Sequence, residues 1–212
     1  ALDDPDRAVV LAALDALDAA GARDVVPPDI LDHVARDAGA HTARALAARA
    51  SLNAEEEPLR RALDDEIDLA RRLVIAVLAL RHGDRVRAAV RVVDHADGQR
   101  RALGLEALDV LLTRDEAALA LPLVRRDLTP DERSAALRRV APTAGHPEDW
   151  LADMVDDPDG AWRSPWLAAC AVHSGRTGSR SISMRTSART PARPSITRPI
   201  SMNVAGSRDT HS

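Results

Sequence analysis

Asp29, His33 and Asp37 recur every four residues, so on a helix two carboxylates and an imidazole share one face, with the donor types to ligate a divalent cation. No second His follows in that pattern, and acids near a helix N-terminus are ordinary complements of its positive end. A solvated face accounts for the trio, and no metal is expected. His41 lies just beyond Gly39, where the pattern leaves its direction open. His95 with Asp94 and Asp97, and His146 with Glu148 and Asp149, fall at turns between helices, where capping and solvation explain them. Cys170 has no cationic neighbour that would activate a thiol. It stands four residues after Trp166, itself four after Trp162, which is spacing for packing. The chain contains no Gly-x-Ser-x-Gly, His-Glu-x-x-His, phosphate-cradling Gly loop or Cys pair. No catalytic, cofactor-binding or metal residue is therefore assigned, no binding surface is located, and neither an enzyme nor a cofactor is expected.

The elements that would position these groups are helices. Asp4 before Pro5 is the expected N-cap of a helix whose stripe is Val10, Ala13, Leu14 and Leu17, closed by Gly21. Pro27-Pro28 starts a second helix, ending near Gly39, and a third covers Thr42 to Leu52. The clearest runs from Pro58 to Arg81, with Leu59, Leu63, Ile67, Ala70, Val74 and Val77 in one stripe. From Leu73 to Leu80 it is apolar on every side, which demands neighbours on more than one side. Arg85 to Val93, 97–112 and a Leu-rich stretch interrupted by Pro122 follow. Thr129-Pro130-Asp131-Glu132 opens a helix to Val140, Pro147 opens one through Val155, and Ser164-Pro165 opens the last. Trp150, Trp162 and Trp166 are expected to seal one end. Nine or ten short helices and no strand make an all-α body.

Composition divides the chain. All 29 basic residues are Arg, and three Trp are the only aromatic residues among Phe, Tyr and Trp, so the core is aliphatic. Residues 1–173 carry 22 Arg against 32 acids, while 174–212 hold nine of the twelve Ser and seven Arg against a single acid, Asp209. Such a segment buries too little apolar surface to offset its ordering entropy, so 174–212 reads as a disordered basic Ser/Arg/Pro-rich tail. GC-rich codons for Ser181-Ile182-Ser183-Met184 encode Asp-Leu-Asp in a shifted frame, so a frame-shifted origin of this tail stands beside a native one. The longest apolar runs, Leu73 to Leu80 and Ala117 to Val124, have eight residues each, against the roughly 20 needed to span a bilayer. One cysteine allows no internal disulfide, and a reducing, cytoplasmic setting is the expectation. The chain opens on Ala1, with a helix signal within five residues, and reads as a fragment of something longer.

Asp3-Asp4-Pro5-Asp6 returns as Asp156-Asp157-Pro158-Asp159, each before an Ala/Leu helix, at an offset of 153 residues, or about four periods of roughly 38. Leu14-Asp-Ala-Leu17 is echoed by Leu105-Glu-Ala-Leu108. Over residues 1–173 these turns and helices resemble bacterial HEAT-type repeats, which implies an α-solenoid of stacked helical pairs; an irregular helical bundle, with the echo a coincidence of an Ala/Leu/Asp-rich chain, is the alternative. More narrowly, 63–72, 101–112 and 121–123 are similar to the HEAT segment of bacterial proteins that join an ATP/ADP-translocase-like, major-facilitator transporter to a cyclic-nucleotide-binding domain. That resemblance implies a linker module at the cytoplasmic face of the inner membrane, with the functional domains elsewhere in a larger regulated protein. None of their functional residues has a counterpart here.

The expected function is a non-catalytic scaffold whose partners are proteins or adjacent domains of the same polypeptide. Two alternatives stand beside it. The basic tail offers phosphate or acidic-partner binding, although the acidic body makes nucleic acid the weaker partner. HEAT-like repeats also occur in lyase-type proteins, which would require a pocket of converging polar side chains.

Overall fold

The computed structural model describes residues 2–95, 97–142, 149–157 and 160–186. Among these residues the regular elements are all helices: α1 (Arg7–Ala19), α2 (Pro28–Ser51), α3 (Glu57–His82), α4 (Asp84–His95), α5 (Gly98–Leu111), α6 (Arg114–Val124), α7 (Pro130–Val140), α8 (Trp150–Asp156) and α9 (Pro165–Thr186). Single 3-10 turns at Arg23–Val25 and Ala54–Glu56 lead into α2 and α3.

Helix α3 organises the rest. Its predicted stripe is buried throughout, and from Leu73 to Leu80 every side chain except the partly covered Ile75 is buried. A rod apolar on all sides needs cover on all sides, and α3 touches α1, α2, α4, α6 and α9. Each fully buried aliphatic side chain stabilises by about 1.5–3 kcal/mol, whereas an exposed ion pair contributes about 0–1 kcal/mol. Burial of α3 therefore decides the arrangement, and the surface Arg–acid pairs follow it. Single-file stacking would confine contacts to neighbouring pairs. Consecutive pairs do touch (α2 with α3, α4 with α5, α6 with α7, α8 with α9), but α2 also packs on α7, and α3 on α9, elements far apart in the chain.

Several boundaries differ from the pattern-based expectation. Asp6, not Asp4, caps α1: its carboxylate accepts the Ala8 amide at 2.8 Å, while Asp4 accepts the Asp6 amide at 2.9 Å. Pro5 thus precedes the cap. The two helices expected on either side of Gly39 are one continuous α2. Gly39 is buried inside it, where an added Cβ would lie 2.4 Å from a Leu119 methyl of α6. The glycine is a point of close helix approach, not a terminator. The expected helix start at Pro147 lies outside the described residues, and α8 is capped by Asp149, which accepts the Leu151 and Ala152 amides. Thr129 and Glu132 form the expected reciprocal cap of α7, and Thr113 with Glu116 repeats it on α6.

At the C-terminus, α9 continues past residue 174, where composition placed the start of a disordered tail, to Thr186. Leu167, Cys170, Ala171 and Ser174, all buried, follow the i, i+3, i+4, i+7 spacing of one helix face. Ser174 is small enough to extend that face, which a count of Ser and Arg does not register. Residues 187–212, the remainder of the expected tail, lie outside the described residues.

Gly104 fixes the α4–α5 contact. A Cβ there would lie 2.9 Å from Val93 Cγ2, 3.1 Å from Val92 Cγ1 and 3.2 Å from the Ala89 carbonyl oxygen. Val side chains are stiff at χ1 and backbone does not yield, so Gly104→Val should destabilise the fold by about 1–3 kcal/mol, read as a lower urea midpoint. An unchanged midpoint would show that α5 moves freely away from α4.

Candidate functional site

Of the Asp29, His33 and Asp37 trio, Asp29 and His33 are exposed and Asp37 is drawn aside by Arg7, whose Nη2 lies 3.3 Å from its Oδ2. Among the described residues no group of three or more His, Cys, Asp or Glu side chains is placed to hold a metal ion. Arg7 is buried, and its guanidinium also donates to the carbonyl oxygens of Trp162 and Ala161, both at 3.2 Å. One turn beyond Asp37, the buried His41 places Nε2 3.1 Å from Glu66 Oε2 and its ring edge-to-face on Trp162 at 5.6 Å. Trp162 in turn meets Trp150 at 6.1 Å, donates from Nε1 to Asp153 at 2.9 Å and lies under the Arg44 guanidinium. Trp166, expected in this cluster, is exposed.

Burial pushes the His41 pKa down, and the neighbouring Arg7 charge adds to the fall against the pull of Glu66. For Glu66, burial acts upward, but the hydrogen bonds from His41 and Ser164 and the nearby Arg7 hold its carboxyl below the usual range. The pair is thus a neutral imidazole donating from Nε2 to a carboxylate. A cavity of about 160 Å³ opens beside Arg7, His33, Asp37 and Arg163, with Asp3 and Asp4 at its wall, but His41 and Glu66 do not line it. The His41–Glu66 pair is presented to the Trp162 ring and not to a substrate space.

This burial carries a pH signature. A folded-state pKa below that of the unfolded chain means that the unfolded state binds the extra proton, so stability falls as pH drops below about 6.5, with a limiting slope near 1.4 kcal/mol per pH unit. Glu66, shifted the same way, adds to the loss at still lower pH. Urea unfolding between pH 7.5 and 5.5 should show this slope, and His41→Gln should flatten it. An equal slope in the variant would assign the effect elsewhere.

A second polar cleft, about 570 Å³, lies among α2, α3, α6 and α7, where Asp32, Arg36, Arg81, Asp115, Glu116 and Arg139 meet Ala35, Val77, Leu78 and Leu119. Four of these six charges, Asp32, Arg36, Arg81 and Glu116, are paired with one another. Arg81 pairs with Asp32 at 2.8 Å and Glu116 at 3.2 Å, and Glu116 also accepts from His82 at 2.9 Å. Burial raises the Glu116 pKa, but the Thr113 amide and hydroxyl, His82 and Arg81 outweigh it and bring the value to about 2. A carboxyl so held delivers no proton near neutrality.

The remaining feature is apolar. Between α4 and α5 an open groove of about 640 Å³ is lined by Ala88, Ala89, Val92, Leu103, Ala107 and Val110, with Arg85 and Glu106 at its walls. Val110 is 81% exposed and Leu103 59%. Helix α5 buries only Gly104 and Leu108, and its main packing is on α4, with α6 second. The groove runs on into a second concavity of about 500 Å³ bounded by Arg91, His95 and Arg100, which shares Ala88 and Val92 with it. Of the His95, Asp94 and Asp97 group, only His95 faces this space, since Asp94 chelates the Arg71 guanidinium at 2.7 and 2.8 Å. His146 and Glu148 lie outside the described residues, and Asp149 serves as the α8 cap.

Cys170 is buried in α9 with its thiol pKa raised by burial, the opposite of an activated nucleophile. None of the described helices is long and apolar enough to cross a membrane. No family model, curated protein or solved structure matches this chain.

Proposed function

We propose that the chain is a non-catalytic helical interaction module, of the HEAT-like kind its sequence resembles, that couples partners or adjacent domains of a larger regulated membrane protein. The observation that carries this reading is the α4–α5 groove, where Leu103 and Val110 stand largely in water. Contiguous exposed apolar surface of this sort marks interaction sites on monomeric proteins. The occupant is a helical segment of a partner protein, laid along the groove with side chains at i, i+3 or i+4 and i+7 against Val92, Leu103 and Val110. The polar sites support the non-catalytic part, because His41 and Glu66 do not line the cavity beside Arg7 and the Glu116 carboxyl is held by Thr113, His82 and Arg81.

The test titrates a synthetic amphipathic helical peptide with a Leu stripe into the full chain and into Val110→Asp. Both side chains at this position are exposed, so the fold is not at risk. Saturable binding to the parent that is lost in the variant supports the module. No binding, or binding indifferent to Val110, overturns it.

A further inference from the structure

We infer that the occupant of the α4–α5 groove is an acidic amphipathic helix of a partner protein, an inference that rests on the docking reading above and adds the chemistry of what docks. Arg85 stands at the groove wall, and Arg91 and Arg100 border the concavity that continues it. All three are exposed and have no carboxylate or carbonyl partner among the described residues. Neighbouring arginines behave differently. Arg87, also on α4, pairs with Asp15 and Asp18 at 3.3 and 3.0 Å, and Arg71 and Arg126 share Asp94.

Acids outnumber Arg by ten over residues 1–173, so carboxylates to satisfy these guanidinium groups are plentiful in the body. Here they are withheld. The groove supplies a single carboxylate, Glu106, beside Arg85, and the concavity bounded by Arg91, His95 and Arg100 has none in its lining. An apolar floor with an unpartnered cationic end is complementary to an apolar stripe flanked by Asp or Glu.

The same charge argument separates the other occupants. A second copy placed groove on groove brings one carboxylate against three guanidinium groups. The chain's own residues 187–212, beyond α9, bring four Arg and a single acid. Both place like charge on like.

The probes are three helical peptides with one Leu stripe and flanks of Glu, Gln or Lys, titrated against the full chain by calorimetry. The Glu peptide should bind about tenfold more tightly than the Lys peptide at low salt. The gap should close near 1 M salt, where the screening length is about 3 Å. In the double variant Arg91→Glu, Arg100→Glu, both positions exposed, the order should invert. If all three peptides bind equally and Val110→Asp abolishes binding, the acidic partner is refuted while the docking reading stands. If none binds, the docking reading itself fails. If the chain instead dimerises in sedimentation runs and Val110→Asp restores the monomer, a second copy is the occupant and the inference is overturned.

Discussion

Replacing Trp162 by Ala should cost about 4 kcal/mol of folding free energy, within the range of about 3–5 kcal/mol for large aromatic truncations in a core. For a chain of this length that corresponds to a fall in Tm of roughly 8–16 °C. Trp162 is among the largest fully buried side chains, and it is where distant parts of the chain meet. His41 of α2 and Trp150 of α8 pack edge-to-face on its ring, and Asp153 accepts its indole N–H. Its backbone is held as firmly. Asp157, in the left-handed region with φ 37°, accepts the amides of Ala161, Trp162 and Arg163 at 2.6, 3.0 and 2.9 Å. A loop fastened in this way cannot collapse into the space an Ala would leave, which puts the cost toward the upper part of the range. Trp162→Phe keeps one aromatic ring but loses the volume of the second and the donor to Asp153, and should cost about 2 kcal/mol. Thermal and urea unfolding followed by circular dichroism check both. A loss below 1 kcal/mol for the Ala variant would mean that the ring fills no essential space.

The part of this fold legible in the sequence was the part governed by local periodicity. The α3 stripe, the Thr129 cap and the stop at Gly21, with φ 65°, all follow from residues within a few positions of one another. Gly39 was not legible, because whether a glycine ends a helix or lets another helix approach depends on Leu119, which lies far along the chain. The repeated Asp-Asp-Pro-Asp shows the same dependence at its second position: Asp4 accepts one amide, that of Asp6, whereas Asp157 gathers three loop amides, because the residues that follow fold differently. The groove was hidden because α5 shows no single apolar face: charged and apolar residues are interspersed through Gly98–Leu111, and only the packing of α5 reveals which side stays uncovered. Arg7 gave no signal at all.

Arg7 is the second residue on which a large effect is expected. It belongs to the first turn of α1, yet its guanidinium binds carbonyls 154 and 155 positions away, tying the start of α1 to the loop before α9. Arg7→Met preserves most of the volume and the packing of the stem, so its cost isolates the polar part. Two carbonyl oxygens lose their donors, and each buried acceptor left unsatisfied costs about 1–3 kcal/mol. The pair with Asp37 contributes far less, because Asp37 is 40% exposed and regains water when the pair is broken. Arg7→Met should therefore destabilise by about 3 kcal/mol, while Asp37→Asn should cost under about 1 kcal/mol. Amide exchange at Ala161, Trp162 and Arg163 should accelerate in Arg7→Met and stay near the parent rate in Asp37→Asn. Equal losses for the two variants would mean that the ion pair, and not the capping of the 161–162 carbonyls, is what joins the ends of the chain. Because α4 and α5 make none of these contacts, the Arg7 variant should still bind a groove peptide with unchanged affinity at temperatures below its lowered Tm, which separates the residue that holds the body together from the surface that binds.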